Sequence, residues 1–334
     1  KNIRFGLGAI KNVGSAAISN IIAEREAHGE YKTLLDFLER INLSSVNKKN
    51  LESLILCGAL DSLKIYRNQL MKVLEQAVKE ALRRNNERKI GQFSLFSSND
   101  GSTTDFDEEF IKYPDIEEMD EIERLRYEKE LMGLYITGHP IEKYQKIIDD
   151  YHLTAISEIR NLGDSASVVT VGLFETMNEG KTRNDFKRMM KGVFEDMTGR
   201  IYYNIWEPAV SQNEKYLDIG KVLLVIGRID TKRGEHQLII KSVFPMDQAR
   251  KKLTKKIHIK LNSIGLEELF LKKLRDIIEG SPGHIPIYLH INSEKIGEII
   301  IRPHSKLNVS ITKKLLSGLT MLVGEDKILF NQKI

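Results

Sequence analysis

The sequence predicts a multidomain α+β protein: an all-helical region, then a five-stranded barrel, then a small β-α-β-β-α-β domain. Three observations carry this. Apolar residues recur at three- and four-residue steps through residues 15–85. Between 167 and 244, five strand-like runs succeed one another, with a helical stretch only between the third and fourth. From 255 to 330 short β-branched runs alternate with helical ones.

The composition fits several cores. The chain has 334 residues, 41% hydrophobic and 29% charged. Net charge is only +4, but it is unevenly spread: +5 over 1–100, −9 over 101–150, +1 over 151–250 and +7 over 251–334. A polyanion is therefore expected outside the acidic stretch. The lone cysteine, Cys57, excludes a disulfide framework and suits a reducing, cytoplasmic setting. No apolar run approaches the ~18–20 residues that span a bilayer, so no membrane is expected. The start, Lys1-Asn2-Ile3-Arg4, has neither Met nor signal character, and the chain reads as a fragment of a larger protein.

Residues 1–88 form the helical region. An apolar segment meets a tight turn at Lys11-Asn12-Val13-Gly14, and a helix comes next with Ala16, Ala17, Ile18, Ile21 and Ile22 on one face. Further helices are expected at Thr33–Ile41, at Asn47–Cys57 with Gly58 as its stop, and at Arg67–Asn85. Periodicity collapses at Arg88. Residues 89–112, rich in Ser, Asp, Asn, Gly and Thr, read as a linker. Residues 113–160 read as a helical connector, with one helix over Glu117–Leu134 and a turn at Gly138-His139-Pro140.

Residues 165–250 hold the strands Ser167–Met177, Lys187–Glu195, Arg200–Trp206, Val222–Ile229 and Gln237–Phe244, with a helix near Ser211–Leu217. That order is the order of an OB-fold barrel, and Gly172, Gly192 and Gly227 suit its sharp bends. Residues 251–334 hold the strands Ile257–Leu261, Pro286–Ile291, Glu298–Arg302 and Lys327–Phe330, with helices at Leu266–Ile278 and Ile311–Leu319.

No catalytic or metal site emerges. Gly180-Lys181-Thr182 lacks the Gly a phosphate loop needs five residues earlier, where Glu175 stands. Neither Cys-x-x-Cys nor His-Glu-x-x-His occurs. Pro114-Asp115-Ile116-Glu117 sits in an acidic, helix-forming context and reads as a solvated face.

Three binding motifs remain. Ile10 to Ile18 matches the helix-hairpin-helix pattern: a tight turn feeds a helix N-terminus, so backbone N–H groups converge where a phosphate fits. Lys11, Asn12, Val13, Gly14 and Ser15 would form that duplex-DNA contact. Asn12 stands where a Gly is usual. The same residues also read as an ordinary helical hairpin. A weaker second hairpin, Leu43–Leu51, would present Lys48 and Lys49. The second motif is Gln92-Phe93-Ser94-Leu95-Phe96, an apolar patch in a polar linker. Leu95 and Phe96 suit a partner's hydrophobic pocket, or else a site on their own domain; burial stabilises each by roughly 1.5–3 kcal/mol. The third is the barrel surface. Ile201, Tyr203 and Ile205 would face inward, and Arg200 and Tyr202 outward. With Arg183, Lys187, Arg188, Lys191, Lys232 and Arg233 they would form a single-stranded DNA platform, or simply solvate the loops.

These stretches together resemble the C-terminal region of bacterial replicative DNA polymerase III alpha subunits. Ile3–Gly14 is similar to that family's hairpin entry, Leu51–Leu63 to the segment after that entry, and Gln92–Phe96 to its sliding-clamp-binding motif. Tyr127–Pro140 is the most specific stretch, and Val193–Gly199 resembles a turn of its OB domain. The resemblance implies a parent nucleotidyltransferase that extends primed DNA with deoxynucleoside triphosphates and magnesium. Its catalytic aspartates would lie in a palm outside this segment, which itself would need no cofactor. It also implies that residues 251–334 engage the tau subunit of the clamp loader. Two other readings stay open: a self-contained nucleic-acid-binding adaptor, and a nuclease-associated module.

Overall fold

The second and third helices begin where the sequence supplies side-chain caps. Thr33 Oγ1 accepts the Asp36 N–H at 3.0 Å and opens α2 (Leu34–Arg40). Asn47 and Asn50 cap each other reciprocally, at 3.0 and 2.8 Å, and open α3 (Lys48–Leu56). The computed structural model describes residues 6–90, 111–183, 185–232, 234–263, 266–293 and 297–331. The chain divides into two units, Lys1–Pro140 and Ile141–Ile334.

The first unit is helical: α1 (Ser15–His28), α2, α3, α4 (Arg67–Ile90) and α5 (Glu121–Met132). Leu34, Leu38, Leu54, Leu70, Leu74 and Ala77 are fully buried in one core, and Ile111 and Leu131 join it. Helix α4 runs past the expected Asn85. Helix α5 starts four residues later than expected: residues 111–120 are irregular and lie along α4, where Asn68 Nδ2 and Gln69 Nε2 donate to the Glu117 and Pro114 carbonyls at 3.2 and 2.8 Å. Those bonds satisfy backbone that an acidic, Pro-containing segment leaves outside a helix.

In the second unit, β1 (Ser167–Lys181), β2 (Arg188–Glu195), β3 (Arg200–Trp206), β4 (Val222–Asp230) and β5 (Gln237–Pro245) close into a barrel of order β1-β2-β3-β5-β4. The β3–β5 pairing is parallel and the others antiparallel. This is the expected OB-fold barrel. The helix between β3 and β4 is a single turn, Ala209–Asn213, and a 3-10 turn succeeds it. Gly192 shows why the bend needs Gly: a Cβ there would lie 2.0 Å from the Thr176 carbonyl oxygen, beside the register shift in β1.

The stretch 113–160, expected as one connector, is divided between the units after Pro140. Ile156 and Ile159 plug the barrel core, and Ile141 packs on the barrel's outer side with Val171, Leu173 and Leu224. Beyond the barrel, β6 (Ile257–Asn262), β8 (Ile287–Ser293), β9 (Gly297–Ile301) and β10 (Ile328–Phe330) form a sheet of order β10-β6-β8-β9. The β6–β8 pair is parallel. Two helices, α6 (Glu268–Glu279) and α7 (Lys313–Val323), pack on one face through Leu274, Ile278, Leu315 and Leu319. A short extra strand, β7 (Pro282–Ile285), bridges to Val309 outside this sheet.

Candidate nucleic-acid interface

The hairpin turn is held from three directions. Asn12 adopts a left-handed backbone, φ 68°, which Asn tolerates better than most side chains. Its side chain donates to Ser53 Oγ at 3.2 Å, and its carbonyl accepts from the Asn50 side chain. The Lys11 N–H donates to the Leu131 carbonyl at 2.8 Å, which fixes the turn against α5. Val13 is buried, whereas Lys11, Gly14 and Ser15 are exposed. Gly14 is the N-cap of α1, so the first-turn N–H groups of that helix have no intrahelical acceptor and open on an exposed surface. Ala17 is buried as expected, but Ala16 is exposed: the helix is turned so that Ala17 and Ile21 meet the core.

The second hairpin differs from its expected role. Lys48 pairs with Glu75 of α4 and lies 3.9 Å from Glu52, so its charge is already partnered. Lys49 is exposed. Residues Gln92, Phe93, Ser94, Leu95 and Phe96 lie outside the described residues, as does Arg233.

On the barrel, burial matches the alternation of β3. Ile201, Tyr203 and Ile205 are 6%, 1% and 0% exposed, while Tyr202 is 57% exposed. Burial also pushes the Tyr203 phenol well up. The outer face places Lys191 opposite Asn204 and Val193 opposite Tyr202, and Asn204 donates to Gln237 Oε1 at 2.9 Å. The cations divide into two groups. Arg200 is bound to Glu175 at 2.9 Å and Glu195 at 3.3 Å, Arg188 to Glu179 and Glu214 at 2.7 Å each, and Lys187 to Asp185 at 2.8 Å. Lys191 and Arg183 are exposed and have no ion-pair partner among the described residues. Lys232 is exposed beside Asp164, whose carboxyl is held below its usual range first by the Thr231 N–H. Arg188 alternates with Lys191 along β2 and so lies on the other side of the strand.

Phe186 escaped the sequence reading. It caps the β1–β2 loop at 73% exposure with φ 53°. The available signal was an aromatic residue set between Asp185 and Lys187 in a polar loop.

The helix-hairpin-helix motif family matches residues 1–70. Along nearly its whole length the chain is similar to alpha subunits of DNA polymerase III. The subunit of Vibrio cholerae is 29% identical over 98% of this chain, and that of Borreliella burgdorferi 30% identical over 92%. The chain is similar throughout to the C-terminal region of DNA polymerase III alpha subunits. It spans 28% and 27% of the length of those two relatives and corresponds to the C-terminal region. Among solved structures, the second OB-fold domain of replication protein A from Methanococcus maripaludis aligns with 28% of this chain and 94% of its own, at 16% identity and a TM-score of 0.24.

The stretch Tyr127–Pro140, through which the sequence most resembles the alpha subunits, holds a buried carboxylate. Glu128 is fully buried against Arg67, and the chain from Ile136 to Thr137 wraps around it. The Val193–Gly199 stretch holds Asp196, which accepts the Thr198 and Gly199 N–H groups at 2.6 and 2.9 Å and the Ile156 N–H at 2.8 Å. Both stretches are thus structural supports. Among the described residues no three His, Cys, Asp or Glu side chains are placed to share a metal ion. No helix among them is long and apolar enough to cross a membrane.

Proposed function

We propose that this segment grips DNA for a replicative polymerase. The first hairpin and Lys49 take duplex phosphates through backbone N–H groups and charge. The outer face of the barrel takes the single-stranded template, with Tyr202 as a stacking surface and Lys191, Arg183 and Lys232 as cations. Gln92–Phe96 engages the sliding clamp, and residues 251–334 engage the tau subunit of the clamp loader. Nucleotide transfer belongs to a palm elsewhere in the polymerase.

The observation that carries this reading is the similarity to alpha subunits over 98% of the chain. Tyr202 is exposed and shares a face with Lys191, which has no carboxylate partner among the described residues, and this supports the barrel's part. Each contact alone is weak: the clamp peptide should bind at about micromolar, about −8 kcal/mol. Held together, each raises the effective concentration of the others, so the assembly stays on DNA far longer than any one contact. A fluorescence titration with single-stranded DNA tests it. The Arg200→Glu, Lys191→Glu double variant should bind more weakly and with a flatter salt dependence. An unchanged titration removes the barrel from the grip.

A further inference from the structure

Among the described residues, helices pack on one face of the sheet β10-β6-β8-β9 through the core. Its other face carries an aromatic ring set among cations. Tyr288 of β8 lies opposite His258 of β6, and the two rings stack at 5.0 Å with 14° between their planes. The Lys256 ammonium and the Arg302 guanidinium each lie 5.8 Å from the Tyr288 ring centre. Lys260, opposite His290, is exposed on the same face, as is Arg302. None of Lys256, Lys260 and Arg302 has an ion-pair partner among the described residues.

The platform is rigid from below. His258 Nδ1 lies 2.7 Å from His290 Nε2, and His290 Nδ1 lies 2.9 Å from Glu298 Oε1. His258 is fully buried and His290 nearly so, so the ring beneath Tyr288 is held in one orientation. A fixed aromatic with cations that no described residue neutralises is complementary to an anionic chain of flat rings. The whole 251–334 stretch carries +7, which adds long-range attraction of the same sign. Sheet faces that present aromatic side chains hold unstacked bases in this way.

We propose that this open face is a second single-strand site, separate from the barrel, in which a base stacks on Tyr288 while Lys256, Lys260 and Arg302 take the flanking phosphates. It does not depend on the barrel reading.

The test is fluorescence anisotropy of a labelled thymidylate 20-mer with the full chain, in two backgrounds: unaltered, and carrying Lys191→Glu with Tyr202→Ala on the barrel. In the barrel-altered background, Tyr288→Ala should weaken the remaining binding about tenfold, and Tyr288→Phe should retain it. Lys256→Glu with Arg302→Glu should flatten the log–log salt slope by about 1.4, at ~0.7 per lost phosphate contact. The charge variants touch the surface only, so they read the site even if Tyr288→Ala were to unfold. Equal affinity and slope for all sheet variants in both backgrounds would overturn the proposal, as a face reserved for a protein partner requires. So would an equal loss for a duplex of the same length, since paired bases cannot stack on Tyr288. Loss of the barrel's contribution alone would bear on the barrel, with the sheet variants still deciding this site.

Discussion

Glu128 Oε1 lies 3.3 Å from both terminal nitrogens of Arg67, and its Oε2 accepts the Ile136 and Thr137 N–H groups at 2.9 and 3.0 Å. Both side chains are buried, at 0% and 2% exposure. Burial by itself would lower the Arg67 pKa, but the Asp61 and Glu128 carboxylates outweigh it and raise it. Asp61 completes the set with bonds at 2.7 and 3.0 Å. This pair joins the start of α4 to α5 and so fixes the frame that carries the hairpin turn.

Removing either partner leaves the other charge buried. Glu128→Leu should therefore destabilise the first unit by about 3–5 kcal/mol, and Arg67→Met by a similar amount. The double variant should recover part of that loss. Urea unfolding monitored by circular dichroism reads all three, and additive losses in the double variant would contradict the coupling.

Asn12 offers a backbone test. Asn12→Ala should cost about 1–2 kcal/mol, because a Cβ without the Ser53 bond resists the left-handed conformation. Asn12→Gly should cost less, since Gly takes that conformation freely. Duplex binding by Asn12→Gly should match the unaltered chain if backbone N–H groups make the contact, and a large loss would assign it to the side chain instead.

Two of the barrel's outer cations, Lys191 and Arg200, should behave differently. Lys191→Glu should weaken single-strand binding more than Arg200→Glu does, because Arg200 is already held by Glu175 and Glu195. Titrations of the two single variants at matched salt compare them directly. The reverse ranking would mean that DNA displaces those carboxylates.

In acid, one ion pair on α4 should fade. Hydrogen bonding first from Arg83, then from Arg84, holds the Glu80 carboxyl down to about 2 against an ordinary 4.5. A depressed folded-state pKa stabilises above the unfolded value, and the gain is lost as pH falls from about 4.5 towards 2. Glu80→Gln should thus be the less stable chain at pH 6, by at most about 1 kcal/mol given solvent screening, and equally stable near pH 2. A difference that does not change with pH would assign the effect to packing.

Much of the fold was legible because its signals are local. The alternation of Ile201, Tyr203 and Ile205 with Arg200 and Tyr202 set the facing of β3, and Thr33 and Asn47 marked helix starts. What was not legible depends on partners far away in sequence. Arg67 and Glu128 are 61 residues apart, and nothing around either announces the other. The pairing of Lys48 with Glu75, which removes its free charge, is equally nonlocal. The parallel β6–β8 pair reads locally like any strand pair, so the sheet order, and with it the neighbours of Tyr288, emerged only in three dimensions.

The proposed clamp engagement rests on residues 92–96. Leu95→Ala with Phe96→Ala should abolish retention of the chain on immobilised clamp while its circular dichroism stays unchanged. Retention at the unaltered level would assign these side chains to another role.

The central claim is that this segment holds DNA, and the most direct measurement is anisotropy of a primed template with a single-stranded overhang across a salt series. Binding should weaken steeply as salt rises, with a log–log slope of about −3 or steeper, as several phosphate contacts require. No binding at low salt, or a slope near zero, would contradict it.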